Sequence, residues 1–286
     1  MEISDLKIFI AVARQGSISK GAKELHYVQS NVTARIKQLE EGLGTILFHR
    51  KSRGVALTTS GHLLLDYAQR IIRLSKEAED VICHQSEPIG RLLIGSMETT
   101  AAVRLPPLLT NYHRLYPQVE LNLVTGSSQE LLKRLLNYEI DGALVAGDIS
   151  QEVLLAEKAY EEELVLITAG DIKELDQLAN FKILVLRTDC ACRGQLEKWL
   201  HSTGRLPYQI VELGSIEGII GCVAAGMGVG FMPRPVVEKA HIQKICSLHF
   251  LPDHFGTMTT WFVRRRTDNT SKAMQAFRDL IVKQIN

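Results

Sequence analysis

The sequence lacks the segments that mark membrane and exported proteins. It contains no run of roughly 18 apolar residues, the length that a membrane-spanning helix needs. The start, MEISDLKIF, carries acids where a signal peptide needs a basic region, so we expect a cytoplasmic protein. Five cysteines, an odd number in a chain of 286 residues, do not fit a disulfide framework.

Residue patterns for enzyme chemistry are also missing. No nucleophile elbow, Walker loop or HExxH motif occurs, and no pair of carboxylates can be argued from spacing. We therefore expect no enzyme. The composition, 45% hydrophobic and 23% charged, is that of an ordinary globular chain, and the length is enough for about two domains.

Net charge is small overall but unevenly distributed. The whole chain carries +1, yet residues 1–62 hold nine Lys or Arg against five acids. That segment therefore carries +4, and the remainder carries −3. A basic end on a mildly acidic body favours a polyanion as the partner of the amino terminus.

Apolar periodicity predicts two helices before Leu25 and a third in HYVQSNVTARIKQLE, residues 26–40. The apolar stripe of the third helix comprises Val28, Val32, Ile36, Leu39 and Leu43. Ser30, Ala34 and Lys37 lie opposite, with Asn31 and Thr33 on the flanks. Two short helices joined by a tight turn, the second exposing small polar and basic groups, are typical of a helix-turn-helix.

The outer face of the third helix has side chains suited to duplex DNA. Gln29, Ser30, Asn31 and Thr33 can read base edges in the major groove. Arg35 and Lys37 can reach phosphates. A solvated helix of any small bundle would show the same pattern, so this helix alone leaves that alternative open.

The next stretch, LFHRKSRGVALTTSG, predicts a strand, a basic turn, a second strand and a helix start. A hairpin with Arg50, Lys51 and Arg53 at its tip is a wing that can reach phosphates or a minor groove. A charged loop is usually only solvated. Directly after a helix-turn-helix, it favours a DNA contact.

Residues 1–60 resemble the winged helix-turn-helix of LysR-type transcriptional regulators. The matching positions include Phe9, Ser17, Ala22, Leu25, Gln29, Ser30, Val32, Ile36, Leu39, Glu40, Gly44, Leu47, Phe48, Arg50, Leu57, Thr58 and Gly61. The resemblance implies that Ser17 also belongs to the DNA-binding surface. Gly21 replaces the usual Ala, which is expected to loosen its helix by up to about 1 kcal/mol. Val28 replaces a capping Thr or Ser that is worth about 1 kcal/mol.

A long helix is predicted from Thr59 to about residue 85. Its heptad seam comprises Leu64, Ala68, Ile71, Ser75, Ala78 and Ile82. The seam predicts packing on a second copy of the chain, although packing on its own domain is the alternative. Two-fold symmetry would set two recognition helices about one DNA turn or a multiple apart, which implies an interrupted inverted repeat.

The remainder alternates strand and helix, which predicts an α/β fold with mainly parallel sheets. The resemblance implies two α/β lobes similar to periplasmic solute-binding proteins, joined by two crossover strands, with an effector between them. We predict a DNA-binding domain over 1–58, a linker and dimerisation helix with a hinge over 59–89, and an effector domain over 90–286. Lobe one is expected at 90–161 and 267–286, and lobe two at 162–266.

Candidate effector ligands follow strands at helix starts, where free N–H groups suit a carboxylate or another small anion. They are Ser96, Met97, Thr99, Thr100, Thr125, Gly126, Ser127, Thr188 and Cys190. Glu98 would oppose an anion, which keeps the ligand class open. Ordinary helix capping is the alternative for any single Ser or Thr.

Several partners follow from these patterns. We expect double-stranded DNA, an unidentified small-molecule effector, a homodimer or homotetramer, and RNA polymerase as a further partner, with no metal or other cofactor. One rival is a solute-binding protein whose basic end is structural. Another is a thiol- or metal-responsive regulator through Cys190 and Cys192, because a helix start and Arg193 can lower a thiol pKa.

Overall fold

The computed structural model describes residues 1–51, 54–83, 87–150, 152–174, 182–186, 191–204, 209–266 and 270–283. The chain forms two compact units. Met1–His84 with Asn137–Glu139 forms the first, and Gln85–Leu136 with Ile140–Asn286 forms the second. Among the described residues, no helix combines the length and apolar character needed to cross a membrane.

The first unit is a winged helix-turn-helix followed by a long helix. Its elements are α1 (Ile3–Gln15), α2 (Ile18–Glu24), α3 (Gln29–Leu43), β1 (Phe48–Arg50), β2 (Val55–Leu57) and α4 (Thr59–Cys83). β1 and β2 pair antiparallel as a hairpin. This order confirms the fold that the sequence predicts for the amino terminus.

One apolar core holds these helices and the hairpin together. Leu6, Phe9 and Val12 of α1 are buried against Val32 of α3 and Phe48 of β1. The rings of Phe9 and Phe48 lie 5.2 Å apart, centroid to centroid. Burial of side chains of this size contributes about 1.5–3 kcal/mol each, so this core fixes α3 against α1.

Gly21 has a packing role that the sequence does not predict. A Cβ atom built at Gly21 would lie 2.9 Å from the side chain and 3.0 Å from the backbone of Val12. Such distances are too short for van der Waals contact, so alanine would force α1 and α2 apart. The glycine allows the close packing of the two helices, while its cost in helix propensity stays a prediction.

The second unit is an α/β domain. Its elements are β3 (Gly90–Ser96), α5 (Glu98–Val103), α6 (Leu105–Leu115), β4 (Val119–Thr125), α7 (Ser128–Leu136), β5 (Gly142–Ala146), β6 (Leu154–Ala169), β7 (Lys182–Val185), α8 (Ala191–Thr203), β8 (Gln209–Glu212), α9 (Ile216–Ala224), β9 (Val229–Pro233), α10 (Arg234–Ile242), β10 (Cys246–Phe250), α11 (Asp253–Gly256), β11 (Thr257–Arg265) and α12 (Lys272–Lys283). The sequence does not predict α10, α11 or β10.

The strands follow one hydrogen-bonded path, β4-β3-β5-β11-β6-β9-β7-β8, and β10 pairs with β6. β3 is parallel to β4 and β5, and β7 is parallel to β8 and β9. β6 and β11 are antiparallel to every partner. The prediction of mainly parallel sheets is therefore wrong for the middle of the domain, because the chain crosses between the lobes twice in opposite directions.

β6 is the strand at which one lobe passes into the other. Its first part, Leu154–Glu163, pairs with β11, and the part from Leu164 onward pairs with β9 and β10. In β11, Thr260–Arg264 pairs with β5 of the first lobe. The second half of β11 thus joins the sheet of lobe one, whereas the predicted boundary assigns residues up to 266 to lobe two. The other domain limits stay predictions.

Candidate functional site

α3 has a buried face and an exposed face. Val32, Ile36 and Leu39 are buried, but Val28 and Leu43, the predicted ends of the stripe, are 72% and 41% exposed. The exposed residues of its outer face and first turn are Gln29, Ser30, Asn31, Ala34 and Lys37. Lys37 lies 3.4 Å from Glu41, and both side chains are largely solvated. An exposed pair of this kind is weak, so Lys37 can turn to a phosphate.

Two of the predicted DNA-contacting hydroxyls already take part in local hydrogen bonds. The Thr33 hydroxyl donates to the Gln29 carbonyl over 2.9 Å. Ser17 caps α2, where its Oγ accepts from the Lys20 N–H over 3.4 Å. Thr33 therefore has its methyl group and a hydroxyl lone pair available for a contact with DNA. Ser17 stabilises the start of α2.

Arg35 lies against α1 in the free protein. Its guanidinium donates to Asp5 over 2.8 Å and to the Ser4 hydroxyl over 2.6 Å. The Asp5 side chain is 14% exposed, so the pair is partly desolvated. The expected phosphate contact of Arg35 stays a prediction, and it would require this pair to open. The arginine links α3 to α1 because a carboxylate lies within reach on the neighbouring helix.

The wing begins as the sequence predicts. Lys51 is exposed, and its N–H donates to the Gly54 carbonyl over 3.1 Å. Gly54 has φ +87°, and a Cβ there would lie 2.3 Å from the Gly16 carbonyl oxygen. Arg53 lies outside the described residues, as does the side chain of Arg50.

Glu40 joins the recognition helix to the wing, which the sequence does not reveal. Its Oε1 accepts the N–H groups of Leu47 and Phe48 over 2.7 and 3.1 Å. The end of α3 and the first strand of the wing are therefore held in a fixed arrangement. The only signal in the sequence is a glutamate that the family resemblance includes without a role.

α4 has an exposed apolar stripe that coincides with the predicted seam only in part. Ala68 is buried, and Leu64 and Ile71 pack against the core of the first unit. Among the α4 side chains that the structure describes, the large apolar ones that are exposed are Leu63, Tyr67, Leu74 and Ile82, each more than half exposed. The first half of the predicted seam thus faces its own domain. Leu63, Tyr67 and Leu74 each lie one residue before a predicted seam position, whereas Ile82 belongs to the predicted seam itself. A heptad pattern cannot distinguish two apolar faces on one helix.

The carboxyl ends of β3, β4 and β5 meet at one edge of lobe one. The Gly126 N–H donates to the Ser96 carbonyl over 3.2 Å, and the Met97 N–H donates to the Leu144 carbonyl over 3.1 Å. The Ala146 N–H donates to Ser128 Oγ over 3.0 Å. The structure therefore brings together the predicted effector residues of lobe one.

Few of these side chains reach solvent. Ser96, Thr100 and Ser127 are buried. The Ser96 hydroxyl donates to the Met97 carbonyl, and Ser127 Oγ accepts the Glu130 N–H as the cap of α7. The predicted residues with exposed surface are Thr125, which is exposed, and Thr99, which is half-buried. Thr188 and Cys190 lie outside the described residues.

Met97 lies where the two lobes meet. It is 7% exposed and packs in the apolar cluster of lobe two, which includes Leu164, Phe231 and Met258. Ala146, the last residue of β5, belongs to the same cluster. Opening of the lobes would therefore expose the Met97 side chain.

A partly buried ion pair holds the crossover strand against lobe one. The Arg104 guanidinium donates to Glu162 through Nε (3.0 Å) and Nη2 (2.8 Å), and the Glu162 side chain is 4% exposed. Arg104 also lies 5.4 Å above the Tyr160 ring. The hydrogen bonds that Arg104 donates to Glu162 raise the pKa of Arg104, and burial raises the pKa of Tyr160. Arg104 follows α5, the helix that begins with the candidate effector residues.

Glu163, the next residue on β6, pairs with an arginine of lobe two. Arg234, the first residue of α10 in lobe two, donates to Glu163 over 3.0 Å. Both side chains are close to half exposed. Consecutive glutamates on β6 therefore bind arginines of opposite lobes at the point where the strand changes sheets. The sequence does not predict either pair, because Arg104 and Glu162 are 58 positions apart.

Thr260 of β11 is fully buried beside Ala146, and its hydroxyl has no hydrogen-bond partner within the described part of the chain. We expect Thr260→Val to stabilise the second unit by about 1 kcal/mol, because valine keeps the shape without the desolvation cost of the hydroxyl. Denaturant unfolding followed by tryptophan fluorescence measures this change, since Trp199 and Trp261 both lie in that unit. Thr257→Val, at an exposed position, is the control, and equal shifts for both variants would contradict the expectation.

Cys192 is a buried core residue. It is 5% exposed, and its thiol lies 3.7 Å from the Met258 sulfur. Within the described ranges, no three His, Cys, Asp or Glu side chains gather as a metal site requires. These observations do not favour the thiol- or metal-responsive alternative at Cys192, while Cys190 lies outside the described residues.

A winged helix-turn-helix with an exposed polar recognition helix, joined to a two-lobed α/β domain, defines a DNA-binding regulator with a ligand-binding module. Two family models match the chain. The bacterial regulatory helix-turn-helix protein, lysR family, matches residues 3–62, and the LysR substrate binding domain matches residues 85–286. The chain belongs to the LysR family of transcriptional regulators.

Relatives and solved structures agree with this assignment. The chain is 46% identical over 279 residues to the uncharacterized HTH-type transcriptional regulator YusT of Bacillus subtilis (strain 168), covering 98% of this chain and 95% of that protein. GltR of the same strain is 41% identical over 280 residues, covering 97% and 95%. Full-length CbnR complexed with its target DNA has a TM-score of 0.74 at 21% identity over 99% of each chain. The chain is thus a DNA-binding transcription regulator with an effector-binding domain.

Proposed function

We propose that this regulator binds an interrupted inverted repeat of duplex DNA as a homo-oligomer, with α3 in the major groove and the wing on the flanking backbone. The main support is the exposure of four polar side chains on α3, whose opposite face is fixed in the core. They are Gln29, Ser30, Asn31 and Lys37. Small polar side chains allow close approach to base edges. Such a protein acts where the chromosome lies, in the cytoplasm.

Base reading and backbone contact fall to different residues. An asparagine amide can bond an adenine edge in bidentate fashion, so Asn31 and its neighbours Gln29 and Ser30 supply sequence choice. Lys37 and Lys51 supply phosphate contacts, together with the wing arginines Arg50 and Arg53 that the sequence predicts. Arg35 instead supports the position of α3.

We expect Asn31→Ala to reduce discrimination at one base pair of each half-site by about 5-fold to 100-fold, because a bidentate base contact is worth about 1–3 kcal/mol. Lys51→Ala should weaken binding to all sequences similarly and reduce the slope of log affinity against log salt by about one. Fluorescence anisotropy of the full-length protein on matched and mismatched duplexes measures both quantities. Equal losses for both variants on every duplex would contradict this division of roles.

The rival solute-binding function is tested by truncation. Residues 90–286 should keep small-molecule binding under either hypothesis, whereas DNA binding should vanish only if the first unit supplies it. If the full-length protein and the fragment bind duplex DNA with equal affinity, the first unit is not the DNA-binding unit.

The effector is proposed to bind between the lobes, beside the ends of β3, β4 and β5. Support comes from the exposed Thr125, the half-buried Thr99 and the position of Met97 against lobe two. A ligand that binds one lobe arrangement better than another shifts the population toward it. That shift would change the spacing or bend imposed on paired half-sites, which is the required coupling between the two sites.

Dimerisation is proposed through the exposed stripe of α4, namely Leu63, Tyr67, Leu74 and Ile82. Apolar side chains in a row at heptad-like spacing form a seam with a second copy. The stripe replaces the first half of the predicted seam, since Leu64, Ala68 and Ile71 already pack inside the first unit.

A further inference from the structure

Val28 occupies the N-cap of the recognition helix without acting as a cap. Its backbone is extended (φ −75°, ψ 136°), its side chain makes no capping hydrogen bond, and it is 72% exposed. A hydroxyl or amide at this position would stabilise the helix. A valine exposed to this degree buries little apolar surface. Its side chain therefore contributes little to the folding of the free protein.

The backbone holds Val28 in a defined position. The preceding turn contains His26 with φ +58°, and the Tyr27 N–H donates to the Ala22 carbonyl over 2.9 Å. On the other side, the Val32 N–H donates to the Val28 carbonyl over 3.2 Å. The two γ-methyl groups are thus presented from a preorganised turn, and little order would have to be gained on binding.

Val28 directly precedes the exposed residues Gln29, Ser30 and Asn31. In a helix-turn-helix, the first residues of the recognition helix lie on the base edges. The thymine 5-methyl is the apolar group displayed in the major groove, and aliphatic side chains recognise it by contact. Thr33 adds a second methyl group nearby in sequence, because its hydroxyl already bonds the Gln29 carbonyl.

We propose that Val28 reads the 5-methyl group of one thymine in each half-site and so sets a T·A preference at that base pair. This inference rests on the proposed function, since it requires α3 to lie in the major groove. It names a specificity-determining residue that replaces a helix cap. The chemistry is apolar contact alone, with no hydrogen bond from the Val28 side chain.

Thymine-to-uracil substitution isolates this contact, because deoxyuridine lacks only the methyl group. The duplex is one selected from random DNA by the full-length protein. Each thymine is replaced singly, and the equivalent thymines of the two half-sites are then replaced together. We expect one thymine in each half-site whose replacement weakens binding. Replacement in one half-site should weaken binding about fourfold, and replacement in both half-sites about 15-fold. These values correspond to burial of one methyl-sized group per half-site.

The Val28→Ser variant assigns the effect to this side chain. It removes both methyl groups and supplies a capping hydroxyl, so the thymine-to-uracil affinity ratio at that position should fall to about one while the melting temperature does not fall. Val28→Thr keeps one methyl and should give an intermediate ratio. Asn31→Ala is the matched control and should leave the ratio unchanged, although it weakens binding.

Two results would overturn the proposal. One is a wild-type protein that is insensitive to uracil at every thymine of its selected duplex. The other is an unchanged ratio in Val28→Ser, which would assign the effect to DNA shape or to another side chain. A selection that enriches no sequence would instead overturn the proposed function itself, so the two failures are distinguishable.

Discussion

Leu74→Lys should convert the protein from dimer to monomer and raise its dimer dissociation constant by at least about 100-fold. Burial of one leucine side chain is worth about 1.5–3 kcal/mol. Two-fold symmetry removes two copies, so about 3–6 kcal/mol of association free energy is lost. Sedimentation velocity over a concentration series measures the change directly.

DNA binding should respond to the same substitution. Two linked half-site contacts gain about 10² to 10⁴ in affinity from effective concentration. Leu74→Lys should therefore lower affinity for a full inverted repeat toward that for a single half-site. Affinity for a half-site duplex should change little, because α3 and the wing are untouched.

Gln69→Lys is the control for this experiment. Gln69 is exposed on α4 away from the stripe, so the substitution introduces the same side chain at a neutral place. Ile71→Ala is a second comparison, because Ile71 packs in the core of the first unit. This substitution should lower the free energy of unfolding of that unit and leave the dimer dissociation constant nearly unchanged. If Gln69→Lys and Leu74→Lys dimerise equally, the stripe is not the interface.

The second large effect is expected at the crossover strand, where Glu162→Gln should destabilise the second unit by about 2–4 kcal/mol. The substitution keeps the shape but leaves Arg104 opposite a neutral group in a partly desolvated site. Loss of one member of such a pair costs more than the pair itself contributes. Denaturant unfolding followed by tryptophan fluorescence reports on this unit alone, because both tryptophans lie in it.

Glu163→Gln is the matched control, one residue along the same strand. Its partner Arg234 and Glu163 itself are each close to half exposed, so its removal should cost less than about 1 kcal/mol. A double-mutant cycle of Glu162→Gln with Arg104→Met should show a coupling energy above that of the exposed pair. If both glutamate substitutions lower the free energy of unfolding equally, burial of Glu162 does not make its ion pair stronger than that of Glu163.

The amino-terminal fold could be predicted from the sequence because its signals are local. The periodicity of Val32, Ile36 and Leu39 identifies the buried face of α3, and the glycines at 16 and 44 end α1 and α3 in left-handed conformations. The ends of a stripe are less predictable. Val28 and Leu43 fit the same periodicity, yet both side chains are exposed.

Contacts between distant segments could not be predicted in this way. Arg35 is basic and lies on the recognition helix, but Asp5 on α1 binds it. The first half of the predicted α4 seam faces its own domain because both faces of the helix are apolar, and only the packing of Ala68 shows which face the domain uses. In lobe one the sequence located the strand ends correctly. It could not show that the hydroxyls of Ser96 and Ser127 are used internally.

Selection of bound sites from random duplex DNA by the full-length protein tests the central claim most directly. The account predicts enrichment of two inverted half-sites whose centres lie about one helical turn, or a multiple of it, apart. It also predicts that Asn31→Ala changes the preferred base at one position in each half-site. A pool that stays random after repeated selection, or a motif that Asn31→Ala leaves unaltered at every position, would contradict the claim that α3 reads the sequence.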